Sequence, residues 1–198
     1  MKFTPTVLVG PSGVGKGTVL STVCAQYPQI WLSVSVTTRR PRSGEVDGQH
    51  YYFVDDARFD QMIAGGELLE WATYQSARYG TPGADVDEKI RQGRAVVMEL
   101  DVQGARQVVS RMSQVRTVFL APPSWEELER RLRGRGTESE QVVQRRLATA
   151  REEMEFMDHC DHVIVHHEVA SAAAELVNLI GLGLVGPADE RMEKDTHP

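Results

Sequence analysis

The chain has 198 residues, 41% of them hydrophobic and 25% charged, a composition that fits one globular unit and excludes wholesale disorder. A chain of this length buries about 70% of its unfolded surface and needs no covalent or metal staple to fold; its two cysteines, Cys24 and Cys160, form no CxxC pair and exclude a disulfide framework. A net charge of −6 argues against a protein that wraps nucleic acid, and no apolar run approaches the roughly 20 residues that span a bilayer.

The N-terminal residues carry no long apolar leader segment, and residues 6–9, Thr-Val-Leu-Val, read as a strand. With the reduced cysteines, this points to a cytoplasmic protein. A glycine-rich turn and a helix over 16–27 follow, the helix stopped by Pro28. Residues 30–35 read as a second strand. The runs at 95–100, 116–120 and 162–165 are apolar without alternation, as expected of strands buried on both faces. Helical patterns join them at 102–110, 124–133 and 139–156, with a last helix over 169–180. Strands alternating with helices predict an α/β fold, a parallel-sheet core flanked by helices. The core is expected over 1–36 and 82–185. Residues 37–81, rich in turns and aromatics, read as a small mixed-sheet insertion with a short helix at 57–64. Gly134-Arg135-Gly136-Thr137 suits a hinged lid over 134–146, and 186–198 reads as a polar tail.

The strongest local signal is Gly10-Pro11-Ser12-Gly13-Val14-Gly15-Lys16-Gly17-Thr18, between a predicted strand and a predicted helix. This is the setting of a phosphate-binding loop. Glycines let backbone N–H groups converge on an anion, the helix N-terminus adds its positive end, and Lys16 reaches the β- and γ-phosphates. Gly17 stands where the fingerprint has a hydroxyl, and Thr18 comes one residue later. Thr18 is therefore expected to touch phosphate, with Mg²⁺ held through water. The second signal is the loop Thr37-Thr38-Arg39-Arg40-Pro41-Arg42 through Tyr51-Tyr52-Phe53-Val54. Arg39 and Arg42 can present two guanidinium forks to one dianion, with the Tyr51 hydroxyl on a third side. A second arginine site beside a phosphate loop suggests a second phosphorylated substrate; a solvated basic loop is the plain alternative.

The block T-T-R-x-x-R-x-x-E-x-x-G-x-x-Y-x-F-V and the loop G-P-S-G-V-G-K-G-T resemble those of guanylate kinases. So do Glu70-Trp71-Ala72, Tyr79-Gly80-Thr81, Glu99 to Gly104 and Arg133 to Thr137, in family order from about residue 6 to 180. The resemblance implies the P-loop nucleoside monophosphate kinase fold, with 37–81 as a GMP-binding insertion and ATP and GMP as substrates with Mg²⁺, without nucleic acid or membrane. Arg39, Arg42, Tyr51 and Tyr79 would hold the GMP phosphate. Ser35, Glu70, Thr81 and Asp101 would surround the guanine, whose N1–H and 2-amino donors suit carboxylates where adenine offers a bare acceptor. Arg135 and Arg146 would approach the transferring phosphoryl group with Lys16. Glu99 would order Mg²⁺-bound water. For Glu99 and Asp101 the simpler reading is a strand-end carboxylate capping the next helix; for Glu70 it is an exposed strand carboxylate.

Other arginines, Arg130, Arg131, Arg133 and Arg145, interleave with glutamates and read mostly as i,i+4 surface pairs. The sequence departs from the family at His166, where members carry the Asn that contacts the ATP adenine. The neighbouring His159, Cys160, Asp161 and His162 match no zinc spacing. Two further readings are a non-catalytic guanylate-kinase-like binding module and a related kinase with another phosphate acceptor.

Overall fold

The computed structural model describes residues 2–74, 76–134 and 140–183. Along the chain run β1 (Thr6–Val9), α1 (Lys16–Gln26), β2 (Ile30–Leu32), β3 (Val36–Thr37), β4 (Tyr52–Phe53), α2 (Asp56–Ala64), β5 (Leu68–Tyr74), β6 (Ala77–Pro82), α3 (Gly83–Arg91) and β7 (Ala95–Glu99). Then come α4 (Val102–Arg111), β8 (Arg116–Ala121), α5 (Trp125–Arg133), α6 (Glu140–Met154), a 3₁₀ segment (Glu155–His159), β9 (His162–Val165) and α7 (Val169–Ile180). Side-chain caps start several helices. Asp55 accepts from Arg58 N at 2.7 Å to open α2, and Ser124 accepts from Glu127 N at 3.2 Å to open α5, each satisfying a donor the helix cannot.

Five strands form a parallel sheet in the order β2-β7-β1-β8-β9. Side chains alternate across it, so each strand feeds two cores. Leu8, Val97, Val118 and Leu120 pack with α1, α5, α6 and α7. Val7, Val9, Val96, Met98 and Phe119 pack with α3, α4 and Phe156. Full burial of each such side chain contributes about 1.5–3 kcal/mol. This double coverage explains why the central strands are continuously apolar. The expectation fails at β9. It is the edge strand, and only Ile164 is buried, while Val163 and Val165 are 40% and 44% exposed.

The second sheet has the order β4-β3-β6-β5, with β3–β4 parallel and the other pairs antiparallel. Val36, Phe59, Met62 and Leu68 form its own small core under α2. The strand expected over 30–35 is two pieces: β2 ends at Leu32, and β3 belongs to the second sheet. The chain crosses between sheets at 33–35, where Ser33 and Ser35 line a cavity instead of a core. The helix expected over 139–156 is α at Glu140–Met154 and then 3₁₀, and α3 has no counterpart among the expected elements. The expected tail at 186–198 and residues 135–139 of the expected lid lie outside the described residues, while 140–146 of that lid form the first turns of α6.

Helix α4 ties the two sheets together. Gln107 pairs with the exposed edge of β5 in both directions: its amide nitrogen donates to Trp71 O at 2.6 Å, and its oxygen accepts from Trp71 N at 3.2 Å. Arg111 donates to Leu68 O and Leu69 O at 3.0 and 2.6 Å. An edge strand capped by side chains is closed to foreign strands. The same clamp fixes Glu70 on β5 against Asp101 at the start of α4. Among the described residues no helix is long and apolar enough to cross a membrane.

Candidate active site

The glycine-rich loop leaves the buried end of β1 and turns into α1 at Lys16. Gly15 has φ 102°, a left-handed conformation that glycine adopts without strain. A Cβ there would also lie 2.8 Å from His166 Cε1. Lys16 Nζ donates to Gly10 O at 2.6 Å and Pro11 O at 3.5 Å. Ser12 is gripped from α6. Arg146, 8% exposed, donates from Nη2 to Ser12 Oγ at 2.8 Å. Glu153, also 8% exposed, accepts from Ser12 N at 3.0 Å. Arg146 and Glu153 stand two helical turns apart, hence on one face of α6. Burial raises the Glu153 pKa above the ordinary carboxylate range, and the Ser12 amide pulls it back. Glu153 went unnamed in the sequence; its signal is that helical spacing from Arg146.

Ser12, Lys16 and Glu153 open onto a cavity of about 450 Å³ that runs to the second sheet. Its far wall holds Arg39, Arg42, Tyr51 and Tyr79, the residues expected to grip a phosphate. Tyr51 and Tyr79 meet edge-on at 6.0 Å between ring centroids, and the Arg39 guanidinium lies 5.3 Å from the Tyr51 ring. Arg39 is not an open fork. It pairs with both Glu45 oxygens, at 2.7 and 3.0 Å, and Arg42 N donates to the same carboxylate at 2.7 Å. This pairing holds Glu45 well below the ordinary carboxylate range. It fixes the guanidinium at the cavity wall. Glu45 was part of the sequence motif without a role.

The cavity floor is carboxylate. Glu70 is 4% exposed, not the surface strand residue of the plain reading. The antiparallel register sets Glu70 opposite Thr81, and Thr81 Oγ1 donates to Glu70 Oε1 at 2.7 Å. Gly104 leaves room for the other oxygen: a Cβ there would overlap Glu70 Oε2. Burial pushes the Glu70 pKa up to about 7, with the Thr81 hydrogen bond opposing and the Asp101 charge adding. Asp101 combines two expectations. It caps α4 by accepting from Gly104 N at 2.8 Å, and it lines the cavity. Glu99 lines it too, with its pKa raised by burial and drawn back by Lys16. Ser35 is at the rim, beside Ser33, whose buried hydroxyl has no hydrogen-bond partner among the described residues.

A glycine-rich anion loop and an arginine–tyrosine wall therefore share one cavity with a buried acceptor floor. The family model that describes guanylate kinase matches residues 2–181. The chain belongs to the guanylate kinase family. It is 55% identical over 186 residues to a guanylate kinase of Leifsonia xyli, covering 93% of this chain and 72% of that one. It is 53% identical to one of Streptomyces coelicolor over 174 residues, 88% of each chain. A crystal structure of guanylate kinase from Anaplasma phagocytophilum superposes with TM-score 0.74 at 32% identity, covering 90% of this chain and 84% of that one.

On the guanylate kinase frame, a second cavity of about 640 Å³ lies on the other side of the glycine-rich loop. Gly13, Gly15 and Thr18 line one wall, and Arg131, His166 and Glu168 are among the residues opposite. Arg131 is more than the surface pair expected of it. Besides Glu127 at 2.7 Å, it donates to Val14 O and His166 O at 3.1 and 3.2 Å. Arg133 makes the expected i,i+4 pair with Glu129, whereas Arg130 pairs with Glu127 at i,i+3. Arg135 lies outside the described residues; Arg146 is described, on Ser12 Oγ rather than in this second cavity. Pro11 and Gly17 sit within the loop, Gly17 exposed at the start of α1.

Proposed function

We propose that this chain transfers the γ-phosphate of ATP to GMP, giving ADP and GDP. The supporting observation is the single cavity that joins Lys16 and Ser12 to Arg39, Arg42 and Tyr51, floored by Glu70 and Asp101. GMP enters with its phosphate between Arg39, Arg42, Tyr51 and Tyr79. Its base lies over Glu70, Asp101, Thr81 and Ser35. ATP lays its phosphates on the loop from Gly10 to Thr18, with Lys16 turned from the Gly10 and Pro11 carbonyls onto the γ-phosphate.

A phosphate oxygen of GMP attacks the γ-phosphorus as the bond to the β–γ bridging oxygen breaks. The second pKa of a phosphate monoester is about 6, so the nucleophile is ionised at neutral pH and needs no general base. The work is positioning and charge neutralisation. Arg146 sits on Ser12 Oγ at the seam between the two phosphate sites, where it neutralises charge on the transferring group; Arg135 joins it from the lid at 134–146. Closing that lid and the insertion at 37–81 excludes water while the anions meet.

Mg²⁺ fits this site through phosphate and water. Gly17 offers no hydroxyl to ligate the ion, and Thr18 stands one residue further on. Glu99 would hold one of the ion's waters, and the bound ion supplies charge neutralisation at the β- and γ-phosphates. The setting is the cytoplasm.

A coupled ADP-release assay with GMP, AMP, CMP and UMP tests the proposal. At about pH 8, where Glu70 is ionised, turnover with GMP and rates lower by about 10⁴-fold with AMP are expected, because AMP leaves the buried carboxylate unpaired. No turnover with any acceptor would mean a binding module, and turnover with AMP but not GMP a different kinase.

A further inference from the structure

One face of α6 carries two buried charged residues, Arg146 and Glu153, two helical turns apart and each 8% exposed. Both reach the same residue. Arg146 donates to the Ser12 hydroxyl oxygen at 2.8 Å, and Glu153 accepts from the Ser12 main-chain N–H at 3.0 Å. A carboxylate is costly to bury unless its partners offset the cost. The reaction needs no general base, so acid–base chemistry does not account for Glu153.

A guanidinium only donates, so the Ser12 oxygen is the acceptor in its bond to Arg146. The hydroxyl keeps its own proton, and no acceptor for that proton occurs among the described residues. Ser12 is held at two points, main chain and side chain, with one donor unspent. The glycine-rich loop divides around it. Ser12 and Lys16 line the cavity that holds Arg39, Arg42 and Tyr51, whereas Gly13, Gly15 and Thr18 line the cavity on the loop's other side. Ser12 therefore stands at the end of the loop nearest the acceptor phosphate, and Glu153 lines that same cavity.

We infer that Glu153 is a positioning residue for phosphoryl transfer: its hold on the Ser12 main chain, with the hold of Arg146 on the side chain, turns the Ser12 hydroxyl proton onto an oxygen of the transferring phosphate. The proton stays on Ser12. The contact is a hydrogen bond that strengthens as charge builds on the transferring group. Lys16 and Arg146 offset the carboxylate's charge, so Glu153 serves as an acceptor at a fixed point. This inference rests on the phosphotransferase reading.

The test is steady-state kinetics with ATP and GMP in Glu153→Gln, Glu153→Met, Ser12→Ala and the double variant of the last two. Glutamine still accepts from the Ser12 amide, so Glu153→Gln keeps kcat within about threefold of the parent. Methionine fills the space without that acceptor, and Glu153→Met lowers kcat by about tenfold. The loss falls on kcat because the contact matures at the transition state; the KM for ATP stays within about threefold. GMP affinity, read by calorimetry, stays unchanged and reports that the variants fold. Ser12→Ala loses the hydroxyl itself and lowers kcat by about 10–100-fold. In that background no proton is left to aim, so adding Glu153→Met costs less than about threefold more. A residue that only supported the fold would cost the same in both backgrounds, and that result would overturn the assignment. So would full activity of Ser12→Ala, which is read with Glu153 intact, or an equal loss in Glu153→Gln and Glu153→Met, which would make charge the cause. No turnover by the parent protein would instead overturn the phosphotransferase reading.

Discussion

Glu70→Gln is expected to lower kcat/KM for GMP by about 10²–10³-fold and, above about pH 7, to make the empty protein more stable. Guanine offers two donors on one edge. Glutamine meets them with one acceptor and one donor, so a hydrogen bond becomes a donor–donor clash in a buried site. The stability effect follows from the same burial. The folded protein holds the Glu70 proton up to about pH 7, against an ordinary value of 4.5. The folded state therefore binds more protons than the unfolded one between those limits, and stability falls as pH rises through them. Above about pH 7 the penalty is complete, on the order of 3 kcal/mol. Glutamine has no charge to bury and escapes it. Thermal unfolding should show the variant melting about 6–12 °C above the parent on the alkaline side, with the gap closing toward pH 4.5. In the parent, GMP affinity should weaken below about pH 7, since the proton must leave before the base can bind. A variant less stable at every pH, or one that still binds GMP tightly, would show that this carboxylate does not face the base.

Lys16→Ala is expected to lower kcat by about 10³-fold or more while leaving the GMP dissociation constant nearly unchanged. The ammonium rests on the carbonyls of Gly10 and Pro11, at the end of β1 and on the loop side of the cavity. In the proposed reaction a change of rotamer would carry it to the phosphates. Its charge opposes the charge that builds on the transferring group, and such preorganised electrostatic contacts supply several kcal/mol at the transition state. The arginine–tyrosine wall and the Glu70 floor belong to the other sheet and do not depend on it. Steady-state kinetics with calorimetric GMP titration separates the two effects. An equal loss of GMP affinity would mean that the loop and the arginine wall serve one ligand rather than two.

The phosphate loop was legible in the sequence because its determinants are local: a strand, glycines in fixed order, a lysine opening a helix. The parallel sheet was legible for a similar reason, since strands covered on both sides need apolar residues at every position. What escaped depends on contacts between distant segments. The burial of Glu70 follows from its register with Thr81 and from the missing side chain at Gly104, which comes from another element. The pairing of Arg39 with Glu45 is set by how a loop folds back on itself. Glu153 shows its role only once α6 lies across Ser12. β9 carries the same apolar pattern as the central strands, yet an edge leaves three of its four residues exposed, and nothing in four residues tells edge from centre. For Asp101 the sequence supports both a helix cap and a cavity-facing carboxylate. The residue does both, because one carboxylate oxygen caps α4 and the residue still lines the cavity.

The most direct test is a crystal structure with GMP and a non-hydrolysable ATP analogue bound together. A GMP phosphate oxygen should lie about 3–3.5 Å from the γ-phosphorus, in line with the β–γ bridge, with Lys16 and Arg146 on the γ-oxygens and Arg39 and Arg42 on the GMP phosphate. A closed complex in which those two phosphates stay far apart, or in which Arg39 and Arg42 turn to solvent, would contradict it.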